Sequence, residues 1–599
     1  MKKKLLSFDA QNILSRMARP FVENMTGISR INQLYASLTQ ENTNATAFSE
    51  EILQKLGVSY TLPSEEALQE LREIKGPLVF VSNNPLGGVE ILLMIVLMQK
   101  IREDYRLVGN DMLAEIEELE KAIISIEKTH HQAEKTSWGL QLISYLQEGG
   151  MLALFPNGEN NETHIPGMAF QRQDWDERLA RIFLLTKATI VPIYFHGKSS
   201  FVFQFMGLIS PNFRKKLLPW EFLNNSYKKI AFRLGKKIPI SRLEQFDGQD
   251  KYEAINRYLQ AKIYLLSLHF LTDTEMNITK IQNTLLAFWG NEADAKPIIA
   301  PIPTVTLQAE LQALPQNALL VDTEKMQIWV FKQKDAPNIM QEIGRLREIT
   351  FREIGEGSGK ACDTDVFDTY YYQLLLWDKQ KKQVAGGYRM GKTDEILQKY
   401  GFEGIYICTV FKVKEELLRH IQPALELGRS FIVKEYQRSY QPLLLLWTGI
   451  CQFIVQNPKY HYIMGPVSIS GEMNAISKTL LINFLEDNQL AEGLAEWVKP
   501  KHKFRKKRAA AEYYHSFSTN DMRDLNDAIV ELEKNNMGVP VLFKHYLKMG
   551  AKMLAFNVDP DFSDVLDCFM MTDLLKTDKF LLQKYMGKEN LAAYYAFHG

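Results

Sequence analysis

The chain has 599 residues, more than one hydrophobic core normally organises, so we expect at least two domains. Its hydrophobic content of 46% and charged content of 24% are those of an ordinary folded protein and exclude a disordered or fibrous class. The 71 basic and 71 acidic residues balance, which excludes bulk affinity for nucleic acid and requires any charged partner to bind at a local patch.

The N-terminus and the cysteines indicate the compartment. The start, MKKKLLSFDAQN, is basic but returns to polar residues too soon for a secretion signal. The longest apolar run, Val89 to Met98, has about half the length needed to span a bilayer. The 4 cysteines are far apart, match no metal-binding spacing and are expected to be reduced. We therefore expect a cytoplasmic protein at the inner face of the membrane, with no metal.

The first half alternates strand-like and helix-like segments. After an N-terminal helical segment at 1–60, the runs GPLVFVS, MLALFP and TIVPIYF are typical of strands. A helix from Gly88 to about Ile101 and the helical run SWGLQLISYLQEG lie between them. Such alternation predicts an α/β domain over 61–245, with its chemistry at the strand ends.

The second half begins after a helical and proline-rich linker at 246–300, which ends in KPIIAPIPTVTLQ. A helix at Ala336 to Phe351 follows a β-rich start, and ALELGRSFIV has strand character. An apolar helix from about Pro442 to Val455 and a second strand, YHYIMGPVSIS, come next. Strand, helix and strand, with polar groups where the two strands would part, is the core layout of a GNAT acyltransferase. We predict a mixed-sheet domain of this type, with helical additions, over 301–599.

Charged residues recur inside the apolar segments of this second domain. Glu348 and Arg352 are four residues apart on one helix face. Asp363, Asp365 and Asp368 precede three consecutive tyrosines, and carboxylates beside aromatic rings can hold a cationic amine. An unpaired buried charge costs several kcal/mol, so this pattern favours a polar site. A solvated helix face and purely structural ion pairs are the alternatives.

Three motifs of the first half carry a family resemblance. The segments VSNNPLGGVEILLM, FPNGEN and VPIYFHGKSSFVFQFMG resemble the glycerolipid O-acyltransferases of the lysophosphatidate type. In that family a histidine, oriented by an acid, deprotonates an alcohol. Here Asn84 and Glu90 stand at those two positions. An amide is no base near pH 7, and His130 and His131 lie in a polar stretch, so we expect this domain to be degenerate.

The second of these motifs helps to hold a phosphate in the family. The resemblance therefore implies substrate-binding positions at Phe155, Pro156, Asn157, Gly158 and Glu159. Asn157 departs from the small or acidic residue usual at its position. The apolar stretches at Val89 to Met98 and Phe201 to Leu218 are either membrane-facing surfaces or ordinary core.

The second half resembles the ornithine-lipid N-acyltransferase and hemolysin-like family, itself similar to the acyl-homoserine-lactone synthases in the order of seven residues. The matching positions are Arg347, Phe351, Asp365, Asp368, Arg389, Glu426 and Arg429. Together, the two halves resemble the bifunctional ornithine-lipid or glycine-lipid synthases. In those, one domain makes an N-(3-hydroxyacyl) amino acid and the other esterifies the new hydroxyl.

The resemblance implies attack of an amino-acid α-amine on an acyl thioester. Glu426 is expected to act as base or orienter, because an α-amine is mostly protonated at pH 7. We expect Asp365 and Asp368 to hold the amine. A guanidinium fork suits the carboxylate of the amino acid. The residues expected to bind substrate in this domain are Arg347, Phe351, Arg352, Arg389, Arg429 and Ser430.

The donor is predicted from a missing loop. GNAT enzymes that use acetyl-CoA usually hold its pyrophosphate on a glycine-rich turn after this strand, whereas this chain reads KEYQRSYQPLLLL. An acyl-phosphopantetheine thioester on acyl carrier protein fits better, with no other cofactor. The basic run Lys501 to Arg508 is expected to dock that acidic carrier or an anionic membrane, unless it is a solvated loop.

The leading hypothesis is therefore an acyltransferase of aminolipid synthesis, with a working N-acyltransferase domain and a degenerate O-acyltransferase domain. One alternative is a lysophospholipid or glycerol-phosphate O-acyltransferase carried by the first domain. The other is a non-enzymatic, membrane-associated hemolysin-like protein.

Overall fold

The protein is described from a computed structural model, and the described chain falls into two compact units. The first unit takes residues 1–275 with 515–518, and the second takes 276–514 with 519–599. The described residues are Glu23, 26–38, 44–109, 111–114, 116–125, 137–156, 175–197, 200, Phe203, 217–289, 296–354, 356–517, 521–533, 537–559 and 565–599. Within them, only the backbone is described at 111–112, 137, 271–289 and 516–517.

The first unit contains a seven-stranded sheet in the order β1-β7-β6-β2-β5-β3-β4. All neighbours are parallel except β6 and β7. The strands are β1 (Ser59–Tyr60), β2 (Leu78–Ser82), β3 (Tyr105–Gly109), β4 (Ile123–Ser125), β5 (Met151–Leu154), β6 (Thr189–His196) and β7 (Lys229–Leu234).

The helices up to residue 289 accompany this sheet. They are α1 (Ile28–Ala36), α2 (Ala45–Lys55), α3 (Glu65–Arg72), α4 (Val89–Gln99), α5 (Asp111–Ala114), α6 (Ser137–Gln147), α7 (Glu177–Thr186), α8 (Leu218–Leu223), α9 (Ile240–Leu243) and α10 (Lys251–Trp289). Asn44 and Ser64 begin α2 and α3 as caps, each accepting a hydrogen bond from the backbone amide three residues on.

Both faces of the central strand β2 are covered, which explains its continuous apolar run. Leu78 and Phe80 pack into one hydrophobic core, and Val79 and Val81 pack into another, because side chains alternate across a strand. Helix α4 belongs to the first of these cores, and every residue from Val89 to Met98 is buried. That run is therefore core and not a membrane-facing surface, whereas most of Phe201 to Leu218 lies outside the described residues.

The second unit contains an eight-stranded sheet in the order β16-β17-β14-β13-β11-β10-β9-β8. All neighbours are antiparallel except β13 and β14. The strands are β8 (Leu319–Asp322), β9 (Met326–Lys332), β10 (Tyr372–Asp378), β11 (Gln383–Lys392), β13 (Ala424–Ile432), β14 (Tyr462–Ile469), β16 (Lys552–Asp559) and β17 (Val565–Asp573). Strands β12 (Phe411–Val413) and β15 (Val498–Pro500) pair separately.

Further helices follow residue 289 along the chain. They are α11 (Thr304–Ala313), α12 (Pro337–Glu353), α13 (Thr393–Tyr400), α14 (Ile407–Val410), α15 (Glu415–Ile421), α16 (Gln441–Gln456), α17 (Ala475–Gln489), α18 (Arg508–Phe517), α19 (Met522–Leu532), α20 (Val541–Lys548), α21 (Lys579–Met586) and α22 (Lys588–His598). Among the helices that the structure describes, none combines the length and apolar character needed to cross a bilayer.

Strands β13 and β14 pair over a short stretch and then part. Their parallel register joins only Ala424–Glu426 to Tyr462–Met464. Just beyond, a β-carbon added at Gly465 would overlap the carbonyl oxygen of Leu427. Arg429 has a φ of 46°, which is rare for a residue other than glycine and turns β13 away from its neighbour. The strand split therefore begins at Leu427 and Gly465.

The predicted fold class is confirmed: the chain is α/β, with mixed sheets and two domains. Strand β13, helix α16 and strand β14 lie where the sequence predicts strand, helix and strand. The predicted domain limits at 60, 245 and 300 stay predictions.

Candidate active site

A buried ion pair joins helix α12 to the loop before β10. The Arg347 side chain, 0% exposed, donates from Nη1 to Asp368 Oδ1 at 3.0 Å and from Nη2 to Gln373 Oε1 at 2.7 Å. Gln373 Nε2 also donates to Asp368 Oδ1, at 3.0 Å. Burial alone would raise the pKa of Asp368, but Arg347 and Arg389 lower it to about 2. This closed arrangement suits a structural role for Arg347.

Arg389, on strand β11, continues the network from a cage of aromatic rings. Its Nη1 donates to Asp365 Oδ1 at 2.6 Å. Its guanidinium carbon lies 5.4 Å from the ring centres of Phe367 and Tyr371, and 5.0 Å from that of Tyr406. Asp365 also caps the 3-10 turn Val366–Thr369, so one carboxylate fixes both the cation and the backbone.

Arg429, on strand β13, is the cation of this network that reaches a cavity. Its Nε lies 3.6 Å from Asp363 Oδ2, and its Nη2 lies 3.7 Å from Asp365 Oδ2. These separations are longer than those of the Arg347 and Arg389 pairs. Five predicted site residues thus come together in one network: Arg347, Asp365, Asp368, Arg389 and Arg429.

Glu426 is fully engaged with the protein. Its Oε2 accepts the Tyr371 hydroxyl and the Tyr406 amide (3.2 Å), and its Oε1 accepts the Ile407 amide at 2.6 Å. Burial raises the pKa of Glu426, and these donors act against that rise. Since the side chain is 1% exposed, its contacts favour an orienting role over that of the base.

Glu348 and Arg352 fix a loop. Arg352 Nε donates to Glu348 Oε1 at 2.7 Å, and the amide and hydroxyl of Ser358 donate to Glu348 Oε2. Arg352 Nη2 donates to the carbonyl of Lys360 at 2.7 Å. The pair therefore holds the loop that follows α12, and neither side chain lines the two cavities at the strand split.

Two cavities adjoin the strand split. The smaller, about 220 Å³, lies between β13 and β14 and is lined by both polar and apolar side chains. The larger, about 460 Å³, lies between the end of β13 and the start of α16, with a mostly apolar lining. Tyr388, Ser430 and Leu542 line both, so the two cavities are neighbours. The predicted residues Phe351, Arg429 and Ser430 line the smaller cavity.

Three acidic residues line the smaller cavity, Glu356, Asp559 and Asp567, and the sequence analysis singled out none of them. Burial raises the pKa of Glu356 to about 7 and that of Asp567 to about 6. Asp567 could have been found from the sequence, because it interrupts the apolar run VLDCFMM of strand β17. No sequence pattern marked Glu356, because it lies in a glycine-rich loop where acidic residues are ordinary.

The corresponding site of the first unit lies at the ends of parallel strands. Glu90 is buried and accepts hydrogen bonds from the amides of Leu86 (3.3 Å) and Gly88 (3.2 Å). Burial raises the pKa of Glu90 to about 7. The side-chain oxygen of Asn84 is buried and accepts no hydrogen bond from the described residues.

The remaining predicted positions divide between described and undescribed residues. Phe155 and Pro156 directly follow β5. Asn157, Gly158, Glu159, His130 and His131 lie outside the described residues. In the basic run Lys501 to Arg508, Lys506 pairs with Glu486 and Arg508 pairs with Glu512. These contacts leave its docking role a prediction.

Comparison with known proteins identifies the family. The model of an acyltransferase family matches residues 27–269, and that of an acetyltransferase (GNAT) domain matches residues 346–447. A glycine N(alpha)-acyltransferase of Phocaeicola vulgatus is 31% identical over 284 residues, covering 45% of this chain and 86% of that protein. The chain belongs to the same acyltransferase family as this relative. It is an enzyme, an acyltransferase with a GNAT domain, and Arg347, Glu356 and Arg429 lie within the matched GNAT segment.

A second relative and a solved structure are also similar to this chain. A glycine N(alpha)-acyltransferase of Bacteroides thetaiotaomicron is 28% identical to this acyltransferase over 282 residues, covering 45% of this chain and 83% of that protein. The solved structure of a CoA-dependent acyl-homoserine lactone synthase, BjaI, with SAM and isopentyl-CoA is 10% identical and covers 45% of this chain and 99% of that chain. The TM-score of this superposition is 0.23, which is too low to assign a fold.

Proposed function

We propose that the second unit transfers a fatty acyl group, a 3-hydroxyacyl group in the first instance, from acyl carrier protein to the α-amine of glycine. The observation that carries this proposal is the pair of neighbouring cavities at the strand split, one mostly apolar and one with polar and charged side chains in its lining. Acyl transfer from a thioester to an amino acid needs such a pair, since an apolar arm and a zwitterion must meet at one carbonyl carbon.

The larger cavity suits the donor. Leu443 and Leu446 of α16, together with Val541 and Leu542 of α20, give it an apolar wall. The chain between β13 and α16 supplies no glycine-rich turn for a pyrophosphate. A phosphopantetheine arm without adenosine diphosphate fits this entrance, and for this reason we propose acyl carrier protein as the partner.

The smaller cavity suits a small amino acid. Arg429 lines it beside carboxylates, so one wall can bind the carboxylate of a zwitterion while an acid binds its ammonium group. The cavity volume of about 220 Å³ favours a small side chain. The names of the two glycine N(alpha)-acyltransferases make glycine the first substrate to test.

The product would be an N-acyl amino acid, the first intermediate of an aminolipid. We propose that the first unit does not esterify it further, because Asn84 stands where the related O-acyltransferases have their histidine base. We also propose that the enzyme works at the inner face of the cytoplasmic membrane, where such a product would partition. A lysophospholipid O-acyltransferase carried by the first unit is the less favoured alternative.

The test is an assay of the purified chain with 3-hydroxyacyl carrier protein and glycine, read by mass spectrometry of the N-acylglycine formed. The same acyl group on CoA serves as the competing donor. Formation of N-acylglycine from the carrier protein supports the proposal. No acylated amino acid from any small amino acid would refute it, and a preference for CoA would refute only the donor.

Arg429 provides the first prediction. Changing Arg429→Met should raise the KM for glycine by about 10-fold or more, because a charge-assisted hydrogen bond contributes about 1.5–3 kcal/mol. The KM for the acyl carrier protein should change little. Arg419→Met is the matched control, since the Arg419 side chain is 77% exposed and its ion-pair partner within the described part of the chain is the exposed Glu415. Equal KM values for glycine in the parent chain and Arg429→Met would contradict the role.

Asn84 provides the second prediction. Changing Asn84→His should introduce or raise ester formation on an N-(3-hydroxyacyl) glycine, because an imidazole restores a general base worth about 10²–10⁴-fold. The doubly acylated lipid is measured by mass spectrometry, with Asn84→Gln as the control that adds no base. Doubly acylated lipid already formed by the parent chain would show that Asn84 does not abolish esterification.

A further inference from the structure

Three carboxylates line the smaller cavity, those of Glu356, Asp559 and Asp567, and the network around Arg389 includes neither Glu356 nor Asp567. Glu356 lies in the loop after α12, and Asp567 lies on β17. The Ser468 hydroxyl donates to Asp567 Oδ1 at 2.8 Å, which orients that carboxylate. Arg429, Tyr406 and Ser430 line the same cavity. A charged substrate in this cavity therefore meets these acids and a cation.

We propose that Glu356 and Asp567 are the proton acceptors of the N-acylation, while Glu426 holds Tyr371 and the start of helix α14 in place. This inference rests on the proposed function and names the residues that carry out its proton transfers. It assigns a chemical role to two residues outside the seven positions of the family resemblance.

The contacts of Glu426 exclude it from this role. A general base must lie within hydrogen-bond reach of the proton that it takes. Glu426 is 1% exposed, already accepts three hydrogen bonds, and does not line either cavity. Glu356 and Asp567 both line the cavity that would hold the amine.

The charged groups around the pair set its proton affinity. Burial has the largest effect on Glu356 and raises its pKa. Asp567 raises that pKa further, Lys478 of α17 lowers it, and the resulting pKa is about 7. Burial is also the largest effect on Asp567 and raises its pKa. The Ser468 hydroxyl and Arg429 lower that pKa, Asp559 of β16 raises it, and the resulting pKa is about 6. Groups with pKa values near the working pH can both take up and release a proton.

The reaction needs two proton transfers from one nitrogen. A glycine ammonium gives its first proton to one carboxylate, and the freed lone pair forms a bond to the thioester carbonyl carbon. The tetrahedral intermediate then loses its second N–H proton as the C–S bond breaks, and the leaving thiolate receives one proton. The products are N-acylglycine, the free thiol and one proton released to water. Glu356 and Asp567, which both line the cavity, match these two transfers.

The test is the pH dependence of kcat in the parent chain and three variants, measured with saturating 3-hydroxyacyl carrier protein and saturating glycine. In the parent chain kcat should rise with pH through about 6 to 7, because only the ionised carboxylates accept protons. Glu356→Gln should lower kcat by about 10²–10⁴-fold. Asp567→Asn should lower kcat and move the rising limb to lower pH, because the charge that raises the pKa of Glu356 is gone.

Glu353→Gln is the matched control. Glu353 is the last residue of α12, three residues before Glu356; it is exposed and pairs with Lys434 at 3.0 Å. The kcat and pH profile of the Glu353→Gln variant should therefore equal those of the parent chain. Circular dichroism melting of each variant separates loss of fold from loss of chemistry. A parent-like kcat in Glu356→Gln, or an unmoved limb in Asp567→Asn, would overturn the inference while N-acylglycine formation stands. No N-acylglycine from the parent chain would instead overturn the proposed function.

Discussion

Changing Asp368→Ala is expected to lower the free energy of unfolding of the second unit by about 3–5 kcal/mol, because it leaves the buried guanidinium group of Arg347 without its counter-charge. Arg347 is 0% exposed and Arg389 is 1% exposed. Asp368 Oδ1 lies 3.0 Å from Arg347 Nη1 and 3.5 Å from Arg389 Nη1. Among the described residues, Asp368 is the one carboxylate that forms an ion pair with Arg347, and a buried cation that loses its carboxylate has no solvent to replace it.

Amide hydrogen exchange of strands β10 and β11 measures this loss within the second unit, which matters because a chain of two units need not unfold in one step. The matched control is Glu353→Ala, which breaks the exposed pair with Lys434 and should cost less than about 1 kcal/mol. Equal protection of β11 in the parent chain and in Asp368→Ala would contradict the buried-pair account.

The same pair has a pH signature. The pKa of Asp368 is lowered from 3.8 to about 2, so its stabilising contribution is complete above pH 3.8 and is lost as the pH falls toward 2. The parent chain should therefore lose stability over this window by more than Asp368→Ala does. A difference that stays constant from pH 5 to pH 2 would show that the carboxylate is not held ionised by its neighbours.

Changing Gly465→Ala is expected to be the most damaging single-methyl insertion at the strand split. The added β-carbon would overlap the carbonyl oxygen of Leu427, a backbone atom that cannot rotate away. Overpacking of this kind typically costs about 1–3 kcal/mol. The two strands would be forced apart where they line the smaller cavity, so N-acylglycine formation should fall by more than the stability loss alone explains.

Gly428→Ala is the matched control for stability, because a β-carbon there meets nothing within 4 Å. Thermal unfolding of both variants, with kcat measured below the transition, separates the two effects. If both variants unfold at the same temperature as the parent chain, then close approach of backbone at Gly465 does not shape the split.

Some of this molecule follows from local sequence. The alternation of strand-like and helix-like segments predicted the α/β class of the first unit, and burial of β2 on both faces explains its continuous apolar run. The order strand, helix, strand around β13 predicted the GNAT layout. Asn84 and Glu90 were located through the family resemblance of the motif around them, and their roles stay predictions. All of these signals lie within short stretches of chain.

What only the tertiary structure decided is which charges meet and which remain accessible. The sequence ranked Arg347, Arg389 and Arg429 equally, yet Arg347 is enclosed with Asp368 and Gln373, whereas Arg429 lines a cavity. It favoured Glu426 as base or orienter without showing that Tyr371, Tyr406 and Ile407 occupy its oxygens. Glu356 and Asp567 were invisible as a pair, because strand pairing and the separation of β13 from β14 bring distant residues together. Ionisation depends on burial and on neighbours in space, and residue order does not specify either.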